Sequence, residues 1–389
     1  MCLFKVLGVS VLFILCDGQD WVVDDYGCRT PDGGVGDCTP INQCKSLVNC
    51  LLNATKPISQ KVKEKLNAYL CSYKLGLIWV CCPEEPIVDI DEPTIITTTP
   101  AQNENPPDVT QHKNLKLLPD ECGLIYSSNK IRNGKNAFLN EFPWMALLSY
   151  KTSRGPEFMC GGTVINEKYI LTAAHCIVNM TYPLLGARVG EYDILTKVDC
   201  VEDPKGTKKC IGPVQNIAIE EIIPHPKYQR EVIQNDIGLL RLSGINLQTD
   251  NVKPVCLPVD EELANAQFKF ATVTGWGITD PKTGETSNIL QKVDLNIVTQ
   301  KNCSNAYKDE SNVQITNKLI CAGGRENKDS CKGDSGGPLQ VAAYANGAIR
   351  YIQQGVVSFG HSECGKEGYP AVFTKVSFYL DWILDSIRP

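Results

Sequence analysis

Nineteen cysteines constrain this chain more than any other feature. A reducing compartment keeps few thiols, mostly catalytic or metal-bound, so a count this high implies disulfides formed in an oxidising space. The number is odd, so at least one cysteine is removed, left free or paired outside the chain. Met1 to Lys5 runs into an apolar stretch from Val6 to Cys16, and the small residue Gly18 follows. That pattern predicts a secretory signal over residues 1–18, too short for a membrane span of about 20 residues. Cys2 and Cys16 leave with it, and 17 cysteines remain in a secreted chain.

Residues 28–82 hold seven of these: Cys28, Cys38, Cys44, Cys50, Cys71, Cys81 and Cys82. A segment of this size, rich in Gly, Lys and Asn, buries too little apolar surface to fold on its core alone. Each cross-link adds about 2–4 kcal/mol by restricting the unfolded chain, so a small disulfide-stapled domain is expected. Zinc is the rival use of clustered cysteines, but the segment has no CxxC pair and no histidine. Adjacent Cys81 and Cys82 sit about 3.8 Å apart at Cα, too close for a relaxed bridge to each other. They must reach two different partners.

Residues 83–130 read as a flexible linker. Pro86, Pro93, Pro100, Pro106, Pro107 and Pro119 interrupt it, and no hydrophobic period runs through it. From Glu84 to Glu121 it holds nine acids against two bases, a net of −7 within a chain of net −6, so the remainder carries +1. The acidity belongs to the linker. With Lys+Arg 38 against Asp+Glu 44, no basic excess exists for a nucleic acid or an anionic membrane to meet.

From residue 131 to 389 the pattern changes to short β-like runs broken by Gly, Pro, Asn and Asp. Trp144–Tyr150, Thr163–Ala173, Gln215–Ile223, Ile237–Leu242, Phe268–Thr274, Leu290–Val298 and Ile349–Phe359 are examples. Many short strands predict an all-β domain, barrels or a sandwich. Val376, Leu380, Ile383 and Ile387 recur at near-helical spacing, which predicts one amphipathic helix over 377–387.

Three segments concentrate reactive side chains: Leu171-Thr172-Ala173-Ala174-His175-Cys176, Asn235-Asp236-Ile237-Gly238, and Gly333-Asp334-Ser335-Gly336-Gly337-Pro338. Each offers one member of the set that acyl transfer needs. A serine hydroxyl is a poor nucleophile until a neutral imidazole takes its proton, and the imidazole needs a carboxylate to fix its tautomer. The glycines around Ser335 leave backbone N–H groups open to an oxyanion.

In this order the motifs resemble the chymotrypsin-like serine peptidases across essentially all of residues 131–389. The resemblance implies a double antiparallel β-barrel with a C-terminal helix and the active site between the barrels. It makes His175 the general base, Asp236 its orienting carboxylate and Ser335 the nucleophile, with Gly333 and Ser335 supplying the oxyanion N–H groups. Asp329 falls at the floor of the specificity pocket, where a carboxylate is costly unless Arg or Lys neutralises it. Ser358, Phe359, Gly360 and Ala371 fall on the pocket wall, with Phe359 where the family usually has Trp and Ala371 where it usually has Gly. The added methyl tightens the pocket and predicts Arg over Lys. Lys130-Ile131 resembles the family's activation site, so cleavage after Lys130 would free an Ile131 amine to pair with Asp334; Arg132 departs from the usual Val.

The same resemblance pairs Cys160 with Cys176, Cys303 with Cys321, Cys331 with Cys364, and Cys122 with Cys256, the last holding both chains together after activation. Cys200 and Cys210 are left to bridge their own loop. The N-terminal cysteines resemble a clip domain, whose links would be Cys28–Cys81, Cys38–Cys71 and Cys44–Cys82. Cys50 is then left as a buried free thiol or a disulfide to a second chain. Glu191, Asp193, Thr196 and Asp199 follow Gly190 as the calcium loop of clip peptidases does, with Thr196 offering its carbonyl. Ca2+ accepts such hard oxygen donors. Asn53, Asn179 and Asn302 head glycosylation sequons.

The resemblance implies a zymogen of arthropod haemolymph that cleaves after Arg in prophenoloxidase, pro-Spätzle or a downstream clip protein. An upstream activating protease and a serpin inhibitor would be its partners. A non-catalytic clip-domain cofactor, a clotting or developmental cascade protease and a digestive trypsin are the alternatives. The intact triad weighs against the first, and the clip module with its long tether against the last.

Overall fold

The computed structural model describes residues 27–31, 35–44, 47, 68–74, 77–83, 105–125, 136–202, 206–280, 283–310, 312–324, 333–361 and 365–389. At the N-terminal end, β1 (Gly27–Arg29), β2 (Val35–Pro40), β3 (Leu70–Lys74) and β4 (Leu77–Pro83) form an antiparallel sheet in the order β1-β2-β4-β3. Disulfides Cys28–Cys81, Cys38–Cys71 and Cys44–Cys82 cross it, so the adjacent Cys81 and Cys82 do reach different partners. Among the described residues, Cys44, Leu47, Tyr69 and Val80 make its buried cluster. Cross-links stand in for a core. Cys50 and Asn53 lie outside the described residues.

Residues 145–242 close a six-stranded antiparallel barrel from β5 (Met145–Thr152), β6 (Gly155–Val164), β7 (Tyr169–Thr172), β8 (Leu184–Val189), β11 (Gln215–Pro224) and β12 (Gly238–Leu242), in the order β11-β12-β7-β6-β5-β8. Between β8 and β11 a two-stranded ribbon, β9 (Cys200–Glu202) and β10 (Lys208–Cys210), is clipped by Cys200–Cys210. The run Thr163–Ala173, read above as one strand, is the end of β6, a turn and β7. Asn166 makes the turn, its Oδ1 accepting the N–H groups of Lys168 and Tyr169 at 2.9 and 2.8 Å. The polar triplet Asn166-Glu167-Lys168 stands at this turn between the two apolar stretches, and the side-chain hydrogen bonds of Asn166 make the reversal.

A second closed barrel follows: β13 (Phe270–Gly275), β16 (Gln291–Val298), β17 (Leu319–Ala322), β18 (Pro338–Ala345), β19 (Ala348–Phe359) and β20 (Ala371–Lys375), in the order β13-β16-β17-β20-β19-β18. The short hairpin β14 (Ile278–Asp280) and β15 (Glu285–Thr286) projects from it. Closure leaves no barrel edge to pair with another chain. Fully buried Trp144 joins the two barrels, its indole N–H donating to Gln340 Oε1 at 2.7 Å. The expected helix is a 3-10 turn over Val376–Tyr379 followed by an α-helix over Leu380–Ser386, and Val376, Leu380, Ile383 and Ile387 are all buried.

The linker assignment needs correction over 105–125. Val109 is buried in the first barrel's cluster, with Leu115, Leu117, Leu118 and Ile125 packed against it. Asn114 Nδ2 donates to Leu384 O at 2.8 Å, His112 meets Asp385, and Asn166 Nδ2 reaches Leu117 O. Prolines and charges made this stretch look solvated; scattered apolar side chains and backbone carbonyls dock it. Cys122–Cys256 fixes its end.

Candidate active site

β7 leads to the expected base, His175. After Thr172 the chain makes one 3-10 turn, Ala174–Cys176, that presents His175. The buried Tyr150 hydroxyl donates to Cys176 O at 2.8 Å, and burial pushes that phenol up, so it keeps its proton. The Cys160–Cys176 disulfide ties the same turn to β6.

The acid arrives from the start of β12. Asn235 adopts a left-handed φ of 54°, which Asn tolerates better than most residues. Its side chain holds the bend, donating to Lys227 O at 2.8 Å and accepting the Tyr379 hydroxyl at 3.1 Å. Asp236, 1% exposed, then faces His175: Oδ2 lies 2.8 Å from Nδ1, and Oδ1 accepts the His175 N–H at 2.9 Å. A carboxylate only accepts, so the ring proton sits on Nδ1 and Nε2 is left as the base. Two second-barrel hydroxyls complete the site, Ser358 donating to Asp236 Oδ2 at 2.5 Å and Thr374 to Asp236 O at 2.7 Å. Burial pushes the Asp236 carboxyl up, but the His175 ring, the Ser358 hydroxyl and the His175 N–H outweigh it and hold it below the usual carboxylate range.

The turn before β18 carries the nucleophile. Ser335 O accepts the Gly161 N–H at 2.8 Å, and Gly336, at φ 79°, sits where a Cβ would overlap Thr172 Oγ1. Glycine alone permits that approach, which seats Ser335 against the strands that carry His175 and Cys160. Among the described residues the Ser335 hydroxyl makes no hydrogen bond, and His175 Nε2 lies 3.6 Å from Cys176 Sγ. Such contacts commonly tighten only around substrate. Next to the serine, Asp334 Oδ1 accepts the Gly277 N–H at 2.9 Å, and a Cβ on Gly275 or Gly277 would collide with that carboxylate. Gly333, at φ 99°, approaches Gly277 from the other side.

Residues 131–383 match the family described as Trypsin, and residues 28–82 match the regulatory CLIP domain of proteinases. The chain belongs to the trypsin family. It is a clip-domain serine protease, similar to Serine protease ea of Drosophila melanogaster (38% identity, covering 94% of this chain and 92% of the relative). Phenoloxidase-activating factor 1 of Holotrichia diomphalia is 37% identical, covering 93% and 94%. The crystal structure of the Drosophila Grass clip serine protease of the Toll pathway superposes with a TM-score of 0.63 at 34% identity, over 93% of this chain and 98% of that one.

In this clip-domain protease, Ser358 does not offer its side chain to the pocket. Its hydroxyl is spent on Asp236. Phe359 lies edge-on to Tyr307 at 5.7 Å. Ala371, 1% exposed, faces Gly360, where an added Cβ would come 4.0 Å from the alanine methyl. Asp329, Lys130, Ile131, Cys331 and Cys364 lie outside the described residues. Cys303–Cys321 is bridged and buried beside exposed Asn302, and Asn179 is also exposed.

The loop after β8 brings together two of the four acidic-loop residues. Glu191 and Asp199, both buried, share the Tyr192 N–H at 2.9 Å each. Burial raises the Glu191 carboxyl and Asp199 adds to it; the Tyr192 amide and Arg188 oppose them. Two buried carboxylates facing one amide fit a hard divalent cation. Asp193 turns its carboxylate to the Leu195 N–H, and the Thr196 hydroxyl donates to Asp199 Oδ1. Sequence reasoning missed Ser358, Thr374 and Asn235 as supports of the acid; isolated Ser, Thr and Asn residues leave no spacing signal. The cluster Cys160, His175 and Cys176 is no metal site, because both sulfurs are bridged.

Proposed function

We propose that this protease is the secreted zymogen of an innate immune cascade in haemolymph, switched on by cleavage after Lys130. The observation that carries the reading is Asp334, seated on the Gly277 amide beside Ser335, where a new Ile131 amine could pair with it. Resemblance to phenoloxidase-activating factors and to Grass supports prophenoloxidase or pro-Spätzle as the protein cleaved, after Arg in preference to Lys. An upstream protease supplies the cut, a serpin ends the activity, and Cys122–Cys256 keeps the two chains joined.

In the reaction, His175 Nε2 takes the Ser335 proton as the hydroxyl attacks the scissile carbonyl, and the Gly333 and Ser335 N–H groups receive the oxyanion. Asp236 stabilises the imidazolium and stays ionised. The Asp329 carboxylate receives the substrate's cationic side chain. Ca2+ would be held by Glu191 and Asp199, with the carbonyls of Asp193 and Thr196, and would neutralise two buried charges. Glycans on Asn53, Asn179 and Asn302 belong to the same secreted reading.

Labelling with a serine-directed phosphonate after Lys130 cleavage, and not before, is the expected result; no labelling in either form would favour a non-catalytic clip cofactor. Separate incubation with prophenoloxidase and pro-Spätzle reads out the substrate. Calcium-dependent protection from heating, lost in Asp199→Ala, checks the loop.

A further inference from the structure

The amide, carbonyl and hydroxyl of Tyr192 meet three different parts of the structure. Its N–H is held by Glu191 Oε1 and Asp199 Oδ2, both at 2.9 Å. Its carbonyl accepts two donors, the Trp276 indole N–H at 3.2 Å and the Leu290 N–H at 2.9 Å. Its hydroxyl donates to Ala137 O at 3.0 Å, and the Ala137 N–H in turn donates to Leu290 O at 2.8 Å.

The carbonyl and hydroxyl contacts lead to the switch by short paths. Trp276 stands between Gly275 and Gly277, the two glycines against which the Asp334 carboxylate is pressed, and the Gly277 N–H bonds that carboxylate. Asp334 is covalently next to Ser335. Ala137 lies six residues after Ile131, at most about 20 Å of extended chain, and with Asn136 it is among the first described residues beyond the cleavage point. Asn136 is fixed beside it by its bridge to Gln291 and by Gln291 Nε2 at 2.9 Å from its Oδ1.

We propose that Tyr192 is a positioning residue for catalysis: its hydroxyl holds Ala137, near the new N-terminus, and its backbone carbonyl holds the Trp276 indole beside the Gly277 amide that seats Asp334, so both ends of the activation pair are tied to one residue. The inference rests on the reading that Ile131 pairs with Asp334 after cleavage. Loss of either contact lets the pair separate more often, exposing the Ile131 amine and unseating the turn that aims the Ser335 N–H. Tyr192 acts through these groups and touches no substrate.

The test uses the full chain cleaved after Lys130, as wild type, Tyr192→Phe, Trp276→Phe and the double variant. Phenylalanine keeps the ring at 192, leaves a smaller aromatic ring at 276, and removes one donor at each position. Cyanate carbamylates only an accessible, neutral amine, so the rate of Ile131 modification reports how often the pair opens. Each single variant is expected to be modified about 5–10-fold faster and to lose a similar factor in kcat, with KM for a small ester substrate little changed. Its alkaline activity loss should move to lower pH by roughly half a unit or more, because a pair that opens more readily lets the amine deprotonate sooner. The double variant should show less than the product of the two effects, since both break one connection.

A purely structural role would lower Tm while leaving modification rate and alkaline limb at wild-type values, and that result would overturn the proposal. If wild-type Ile131 itself reacts freely with cyanate without loss of activity, the activation reading fails instead, and the proposal with it. The two failures are distinguished by the wild-type lane alone.

Discussion

The two sides of the catalytic centre are built on different principles. His175 and Asp236 sit on the first barrel and are held by a closed set of bonds: Tyr150 on the turn, a disulfide on Cys176, Asn235 bending the chain, and Ser358 and Thr374 reaching across from the second barrel. Ser335 sits on the second barrel in a turn of glycines, positioned by close backbone approach and by one carboxylate, Asp334. A buried, fully bonded charge costs several kcal/mol to disturb, so the acid and base are fixed by folding itself. The Ser335 turn hangs on one carboxylate at the Gly277 amide, and that is where the proposed cleavage would act.

The largest test of that contrast separates activity from stability. Ser335→Ala is expected to lower kcat by about 10⁵–10⁶ with little change in Tm, and Asp236→Asn by about 10⁴. Only Asp236→Asn should also lower Tm, since it disturbs a buried network; equal Tm losses in calorimetry would break the comparison. Next, Gly277→Ala forces a Cβ into the Asp334 carboxylate. It should cost about 10²–10³ in kcat, the value of a lost oxyanion donor, while the downfield Nδ1 proton of His175 stays visible by NMR. Disappearance of that resonance would mean that the two halves are not independent.

Ser358→Ala removes a hydroxyl from a buried carboxylate, which is worth about 1.5–3 kcal/mol, or roughly 10–100-fold in kcat/KM measured on a small ester. Acid should loosen the same side. His225 packs edge-on against Tyr379 and Trp382, at 5.2 and 5.1 Å, beside the Asn235 bend. Burial, with Lys227 and Lys318 adding to it and Asp381 opposing, lowers its pKa from 6.5 to about 4. The folded state therefore favours neutral His225: its contribution is intact above pH 6.5 and is lost as pH falls toward about 4. Urea midpoints between pH 7 and 4 should fall, and His225→Phe should flatten the slope. Smallest of all, Asn114→Ala should cost about 1 kcal/mol in the same measurement by freeing the carbonyls of the terminal helix.

Much of this was readable from spacing. The cysteine doublet and the three motifs around His175, Asp236 and Ser335 carry their chemistry in adjacent residues, and alternating apolar runs gave seven strand segments. The turn at Asn166 and the strands β8, β17, β18 and β20 were not read, because a three-residue polar break between apolar stretches does not by itself distinguish a turn from an exposed strand segment and short strands lack a countable period. Residues 105–125 looked like linker by composition and packed as core, since Val109 and three leucines are enough once a neighbouring surface exists to receive them.

The sequence by itself pointed to the groups expected to do the chemistry and to a disulfide-stapled N-terminal domain. Reactive side chains and cysteines are local facts of covalent structure. Only the tertiary structure decided what holds those groups: Ser358 and Thr374 on Asp236, glycines under Asp334, and Tyr192 between Ala137 and Trp276. These supports come from residues up to 138 positions apart in the chain, and barrel closure alone brings them within hydrogen-bond reach.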